Sequence, residues 1–298
     1  MKKYTFLLIM LLMLLSILFI KSKEKSSYND DYLTFLINNN LNKEEIEFIL
    51  NNNIEREQII PYLDYSTFNP LLFFEYEEIK KTKSYSTIET LNYINFPNYY
   101  NFYIFPKEAP FKNTPLLLVN KCFFLDSSYQ GNNLIEISTT NLNYIKRKNE
   151  IMKVNKEALE HYQILEKDAR SLGYELYIFS AYRSYEKQHH LYYEVNNQND
   201  STVARPGFSE HQSGFSLDIS TLKYGLTNNF KDSKEFNWLI NNAYKYGFIL
   251  RYPLGKENIT GYSYESWHFR YVGVNVAKII FEENLTLEEY IFKYCEIK

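Results

Sequence analysis

A mixed fold of helices and short strands, preceded by an apolar N-terminal helix and a small helical module, is what this 298-residue sequence predicts. Three observations carry the expectation. The run Tyr4 to Ile20 is almost wholly apolar. A short repeat of helical text lies between Asn38 and Leu63. From about residue 115 onward, short apolar segments of strand length alternate with stretches of helical period.

Hydrophobic residues make up 45% of the chain, enough for a substantial core. The formal net charge of −3 carries no signature of nucleic-acid binding. The abundance of Tyr (29) and Phe (22), with frequent Asn, Ile and Lys, reads as AT-rich coding and is given no carbohydrate-stacking role. The two cysteines, Cys122 and Cys295, form no CxxC pair, which excludes a thiolate zinc site. They read as two free thiols, with a single disulfide as the alternative.

Lys2 and Lys3 ahead of the apolar run make an export signal. At about 1.5 Å per residue, the run approaches the lower limit for a bilayer span. The exit, IKSKEKSS, contains no small-x-small cleavage site, and no cysteine offers a lipid anchor. The expectation is an uncleaved membrane anchor over residues 1–21, spanning with 4–20, then a linker over 22–30, with the rest outside the cytoplasm. A cleaved signal peptide is the alternative, because lysines flank the run on both sides.

Residues 31–94 read as a small helical module. NNNLNKEEIEFIL, from Asn38, aligns with NNNIEREQIIPYL, from Asn51, at an offset of thirteen. Each copy sets an Asn-rich turn before an acidic first helical turn. Ile46, Ile49 and Leu50 match Ile59, Tyr62 and Leu63. Helices this short must stack on one another or on the next domain. A further helix is expected over Thr87 to Ile94. The module has no histidine and reads as a spacer or docking element. Residues 95–114, with Pro97, Pro106 and Pro110, read as an extended linker.

The last domain is expected over 115–298. Leu116 to Val119, followed by KCFFL, reads as a strand or buried extended segment. Lys156 to Leu172 is an amphipathic helix with Ala158, Leu159, Tyr162, Leu165, Ala169 and Leu172 on one face, ended by Gly173. Glu175 to Ser180 is a short strand, and Ser184 caps a helix reaching about Val195. Arg183, at the junction, is placed to anchor a ligand, although a surface or salt-bridge role is the commoner fate of such a residue. His189 and His190 point about 100° apart on their helix and cannot share a metal.

The loop VARPGFSEHQSGFSLDIS runs into a strand near Ile219, and Gly214 permits a turn between His211 and Asp218. About fifty residues later comes YESWHFRY. Alternation there would send Glu265 and His268 to opposite faces unless a bulge or a strand start intervenes. Catalytic zinc takes three N or O ligands and keeps one position open. His211, Asp218 and His268 supply N, O and N. A further carboxylate must move the proton, and Glu265 is the candidate. Spacing alone leaves a zinc site and a chance scatter evenly matched, since HxxxxxxD is less specific than HExxH.

Four blocks decide between them. FSEHQSGFSLDI is similar to the SxHxxGxAxD motif of the VanY-type D-alanyl-D-alanine carboxypeptidases. YESWHFRYVG resembles their ExWHxRYVG motif, SAYRSYEKQ their SGYRSYxxQ motif, and LVNKCFFLD the LVNKxxxL segment that opens their domain. The blocks occur in order and cover roughly residues 115 to 284. The resemblance, which extends to the related L,D-carboxypeptidases, implies an α+β domain with a central antiparallel sheet and one zinc ion per chain. It implies His211, Asp218 and His268 as ligands and Glu265 as base. It places Arg183, Gln188 and Ser209 in the substrate pocket, with Arg183 on the substrate carboxylate or carbonyl. Peptidoglycan stem peptides are the implied substrate, with loss of a terminal D-alanine. An endopeptidase of the same metal-site design and a non-catalytic wall-binding module are the alternatives. Two positions depart from the motifs: Ser216 replaces Ala, adding a hydroxyl that needs a partner if buried, and Ala181 replaces Gly.

After the site, Ser233 to Tyr246 reads as a helix ended by Gly247, Phe248 to Arg251 as a strand, and Val274 to Glu283 as a helix. Thr286-Leu287-Glu288-Glu289 is a capping box opening a last helix.

Overall fold

The computed structural model describes residues 30–295, apart from 66–67, 96–101, 104–105, 149, 197 and 201–202. The expected anchor, 1–21, lies outside these residues, as does the linker up to 29. Among the described residues no helix is long and apolar enough to cross a membrane. Contacts divide the chain into two compact units, Met1–Leu91 and Asn92–Lys298.

The first unit contains α1 (Asp30–Asn38), α2 (Lys43–Asn51), α3 (Arg56–Leu63), a 3-10 turn leading into α4 (Phe73–Lys83), and most of α5 (Thr87–Asn95), which runs across the unit boundary. The repeat has a physical basis at matching positions. Asn40 and Asn53 both take the left-handed conformation that asparagine tolerates (φ 61° and 52°). Glu45 N–H donates to Asn42 Oδ1 (3.1 Å) while Asn42 N–H donates to Glu45 Oε2 (2.7 Å). In the second copy Glu55 N–H donates to Gln58 Oε1 (2.8 Å). The helices stack on one another: Tyr62 is fully buried, its ring 5.9 Å from Phe73 and 5.8 Å from Tyr76.

The second unit begins before residue 115. Part of the stretch expected as an extended linker is packed: β1 (Lys107–Glu108) pairs in parallel with β2 (Phe123–Phe124), and Ala109 is 4% exposed. The prolines forbid a helix there but not burial, and Leu117, Leu118 and Val119 are buried beside it. A second small ladder, β3 (Leu134–Glu136) with β4 (Lys153–Asn155), leads into α6 (Lys156–Ser171). Asn155 caps α6: Oδ1 accepts from Glu157 and Ala158 N–H, and Nδ2 donates to the Asn132 carbonyl. Asn155→Ala is expected to cost about 1–2 kcal/mol, read as a lower urea midpoint; an unchanged midpoint would show the cap contributes nothing. Leu172, expected on the buried face of α6, is 59% exposed because the helix stops at Ser171 and the chain turns at Gly173.

The main sheet is antiparallel throughout, in the order β5 (Tyr177–Ser180), β6 (Ser216–Ser220), β8 (His268–Tyr271), β7 (Phe248–Leu250). Between its strands come α7 (Tyr185–His190, extended by a π turn to Val195), α8 (Lys234–Asn242) and α9 (Glu257–Thr260); α10 (Val274–Glu282) and α11 (Leu287–Tyr294) follow it. Period-two alternation sends Ile178, Leu217, Ile219, Phe269 and Tyr271 into one core with α6 and α8. The other face of β6 and β8 carries Ser216, Asp218, His268 and Arg270, also buried.

Candidate active site and metal centre

The sheet register builds most of the site. Asp218 on β6 lies directly opposite His268 on β8. The β5–β6 ladder slips between Ile178 and Ser180, which brings Ser180 opposite Asp218. Bulges re-aim side chains in this way, and here the slip delivers the β5 end, and Arg183 beyond it, to the same row. His211 arrives on the 3-10 turn Glu210–Ser213, closed by Gly214 at φ 81°. A Cβ at Gly214 would fall 2.6 Å from the Leu134 side chain, so no larger residue fits unmoved. Glu265 precedes β8 in a turn. The strand starts at His268, whose N–H reaches back to the Glu265 carbonyl (3.4 Å), so the two side chains share one side.

His211 Nε2 lies 3.3 Å from Asp218 Oδ2, and His268 Nδ1 lies 3.2 Å from Asp218 Oδ1. One ligand atom from each of the three falls within 4.8 Å of the others. Donors about 2.0–2.2 Å from a tetrahedral ion stand about 3.3–3.6 Å apart; each imidazole is about that far from one oxygen of Asp218, though not from the same one. Among the described residues the buried Asp218 Oδ1 has no hydrogen-bond partner, an arrangement a cation would relieve. His211 Nδ1 donates to the Ala181 carbonyl (2.7 Å), leaving Nε2 toward Asp218. These residues can hold a metal ion. Glu265 Oε2 stands 3.6 Å from His268 Nδ1, outside that trio.

Burial sets the electrostatics. It pushes the Glu265 carboxyl up to about 7, against the pull of His268 and with help from the Asp218 charge. Burial also lowers His211. For Asp218 burial acts upward, but the two imidazoles outweigh it and hold the carboxyl far below the usual range. For Glu210 the overriding charges are Arg251 and Arg270.

The three further residues expected in the pocket all line the cavity, about 210 Å³, in front of this cluster. Arg183 donates to Gln188 Oε1 (2.8 Å) and Ser180 Oγ (3.2 Å). Gln188 donates in turn to the Ala204 carbonyl (2.6 Å), so both ends of its amide hold protein, and it orients Arg183. Ser209 is 5% exposed and lines the cavity. His189 and His190 stay apart from the site, as expected: one ring packs on Tyr193 and the other bonds Glu194. Neither motif departure disturbs the site. Ala181 is not among the positive-φ residues and contributes a carbonyl. The buried Ser216 hydroxyl donates to Glu210 Oε2 (3.2 Å).

Two groups escaped the sequence reading. Tyr252, 5% exposed, lines the cavity with its ring 4.8 Å from that of His268. Burial keeps its phenol protonated, an available donor. Glu210 sits inside the quoted motif, but only folding shows that it faces His268 Nε2 (3.4 Å).

Residues 151–274 match the VanY family, D-alanyl-D-alanine carboxypeptidase. YodJ of Bacillus subtilis (strain 168), a carboxypeptidase by name, is 41% identical over 189 residues, 61% of this chain and 68% of that protein. The D-alanyl-D-alanine carboxypeptidase of Enterococcus faecium is 41% identical over 140 residues, 46% of this chain and 44% of that enzyme's length. The solved structure of the LD-carboxypeptidase LdcB is similar at TM-score 0.56 and 36% identity, covering 64% of this chain and 95% of that one. The chain is a peptidase and belongs to the VanY family of D-alanyl-D-alanine carboxypeptidases.

Proposed function

We propose that this protein removes the terminal D-alanine from peptidoglycan stem peptides, with one zinc ion held by His211, Asp218 and His268 and with Glu265 as general base. The observation that carries the reading is the row of His211, Asp218 and His268 ligand atoms with a second, partly buried carboxylate at its edge. When bound, zinc lowers the pKa of a water towards about 7 and polarises the scissile carbonyl. Glu265 takes the proton from the attacking water and gives it to the leaving amine. In the metal-free site burial raises its pKa, which makes it a better proton acceptor than a solvated carboxylate. Arg183, fixed by Gln188 and Ser180, presents its guanidinium to the substrate carboxylate or carbonyl, and Ser209 and Tyr252 offer hydroxyl donors to the peptide. We also propose that this chemistry takes place outside the cytoplasm, with residues 4–20 as the membrane anchor.

Defined tetrapeptide and pentapeptide stems, incubated with the protein and followed by mass spectrometry, test the reading. Loss of one alanine is expected, abolished by a chelator and restored by zinc. The stem that shortens assigns L,D or D,D specificity. Internal fragments would instead indicate an endopeptidase, and intact stems with zinc bound would indicate a binding module.

A further inference from the structure

The two nitrogens of His268 have different neighbours. Nδ1 faces Asp218 and Glu265. Nε2 is buried, makes no hydrogen bond among the described residues, and faces the Glu210 carboxylate, with Oε2 at ion-pair distance, 3.4 Å. Glu210 is 1% exposed, and its orientation is fixed from several sides. Oε1 accepts from Arg251 Nε and Arg270 Nη1, each at 2.7 Å, and Oε2 accepts from Ser216 Oγ. The two arginines are held in turn. Arg251 Nη1 donates to Glu288 Oε2 (2.7 Å), and Arg270 Nη2 to the carbonyls of Pro115 (2.9 Å) and Leu117 (2.7 Å). Asn120 Nδ2 donates to Glu288 Oε1 (3.1 Å).

From this geometry we infer that Glu210 is a positioning residue for the metal centre: it accepts the Nε2 proton of His268 and thereby leaves the Nδ1 lone pair for the ion. A neutral imidazole carries one proton, and the partner of one nitrogen decides which nitrogen is free. Ligating histidines generally donate their other N–H to a carboxylate or a carbonyl. His211 meets the same requirement the other way round, with Nδ1 on the Ala181 carbonyl. The turn Glu210–Ser213 therefore carries one ligand and the partner of another, so a shift of that turn disturbs both imidazoles at once. The LVNK segment gains a role as well: its buried Asn120 braces the ion network behind Glu210 and is not among the residues that line the cavity.

The inference rests on the zinc reading, and its test keeps the two separable. Zinc content of the wild-type protein is measured first; absence of uptake overturns the metal reading and this inference together. With one zinc bound, long-range nitrogen–proton NMR of ¹⁵N-histidine-labelled protein should show His268 protonated on Nε2 and metallated on Nδ1, with His211 reversed. Metal on His268 Nε2 would overturn this inference alone. Glu210→Gln keeps the volume but puts a weaker acceptor, or an amide N–H, against Nε2. Its zinc affinity, by chelator competition, should fall about 10–100-fold. A folded variant within about twofold of wild type contradicts the inference, and if the variant fails to fold, the wild-type spectrum decides.

Discussion

Replacing Glu265 by glutamine, Glu265→Gln, is expected to lower turnover by about 10²–10⁴-fold while zinc stays bound. The glutamine keeps the shape but cannot take a proton from water. Retention of the metal is expected because the three ligand atoms lie within 4.8 Å of one another without Glu265. His268→Ala should behave differently, losing metal and turnover together, because it removes a donor from the trio. Zinc content and turnover measured on the same preparations separate the two roles. A zinc-loaded Glu265→Gln protein that hydrolyses stems at the wild-type rate would remove Glu265 from the mechanism, and a different base would have to be sought among the cavity residues.

The cluster of His211, Asp218 and His268 was legible in the sequence through the family resemblance of the short blocks that hold them, since spacing alone left it level with a chance scatter. The strands were legible too, since Leu217, Ile219 and Phe269 alternate with Ser216, Asp218 and His268. Alternation alone left Glu265 and His268 on opposite faces; the answer lay in where β8 begins, and that is set by its pairing with β6. What stayed hidden was the support. Glu210 meets Arg251 from 41 residues away and Arg270 from 60 residues away, and Asn120 meets Glu288 from 168 residues away. No periodicity encodes such partners. Each of these residues, read locally, looks like an ordinary surface charge, yet Glu210, Arg251, Arg270 and Glu288 are at most 1% exposed. Tyr252 was missed for a related reason: in a chain with 29 tyrosines, nothing local separates the one beside an imidazole from the others.

Arg251→Ala should be the most destabilising single change in that network, at about 3–5 kcal/mol. Its guanidinium donates to Glu210 through Nε and to Glu288 through both terminal nitrogens. Among the described residues its removal leaves Glu288 without an arginine or lysine partner and Glu210 with Arg270 as its one arginine, in a site at most 1% exposed. Taking one partner from a buried pair strands the other charge, which costs more than the pair contributed. For a domain of about 150–250 residues the loss corresponds to a Tm lower by roughly 6–20 °C, measurable by calorimetry on the metal-free protein. Glu288→Gln should cost less, because Arg251 keeps the Glu210 carboxylate and the amide can still accept. Calorimetry on both variants therefore tests the order as well as the size. If Arg251→Ala melts within about 2 °C of wild type, the charges are solvated in the working protein, and Glu210 would lack the rigid backing through which it orients His268.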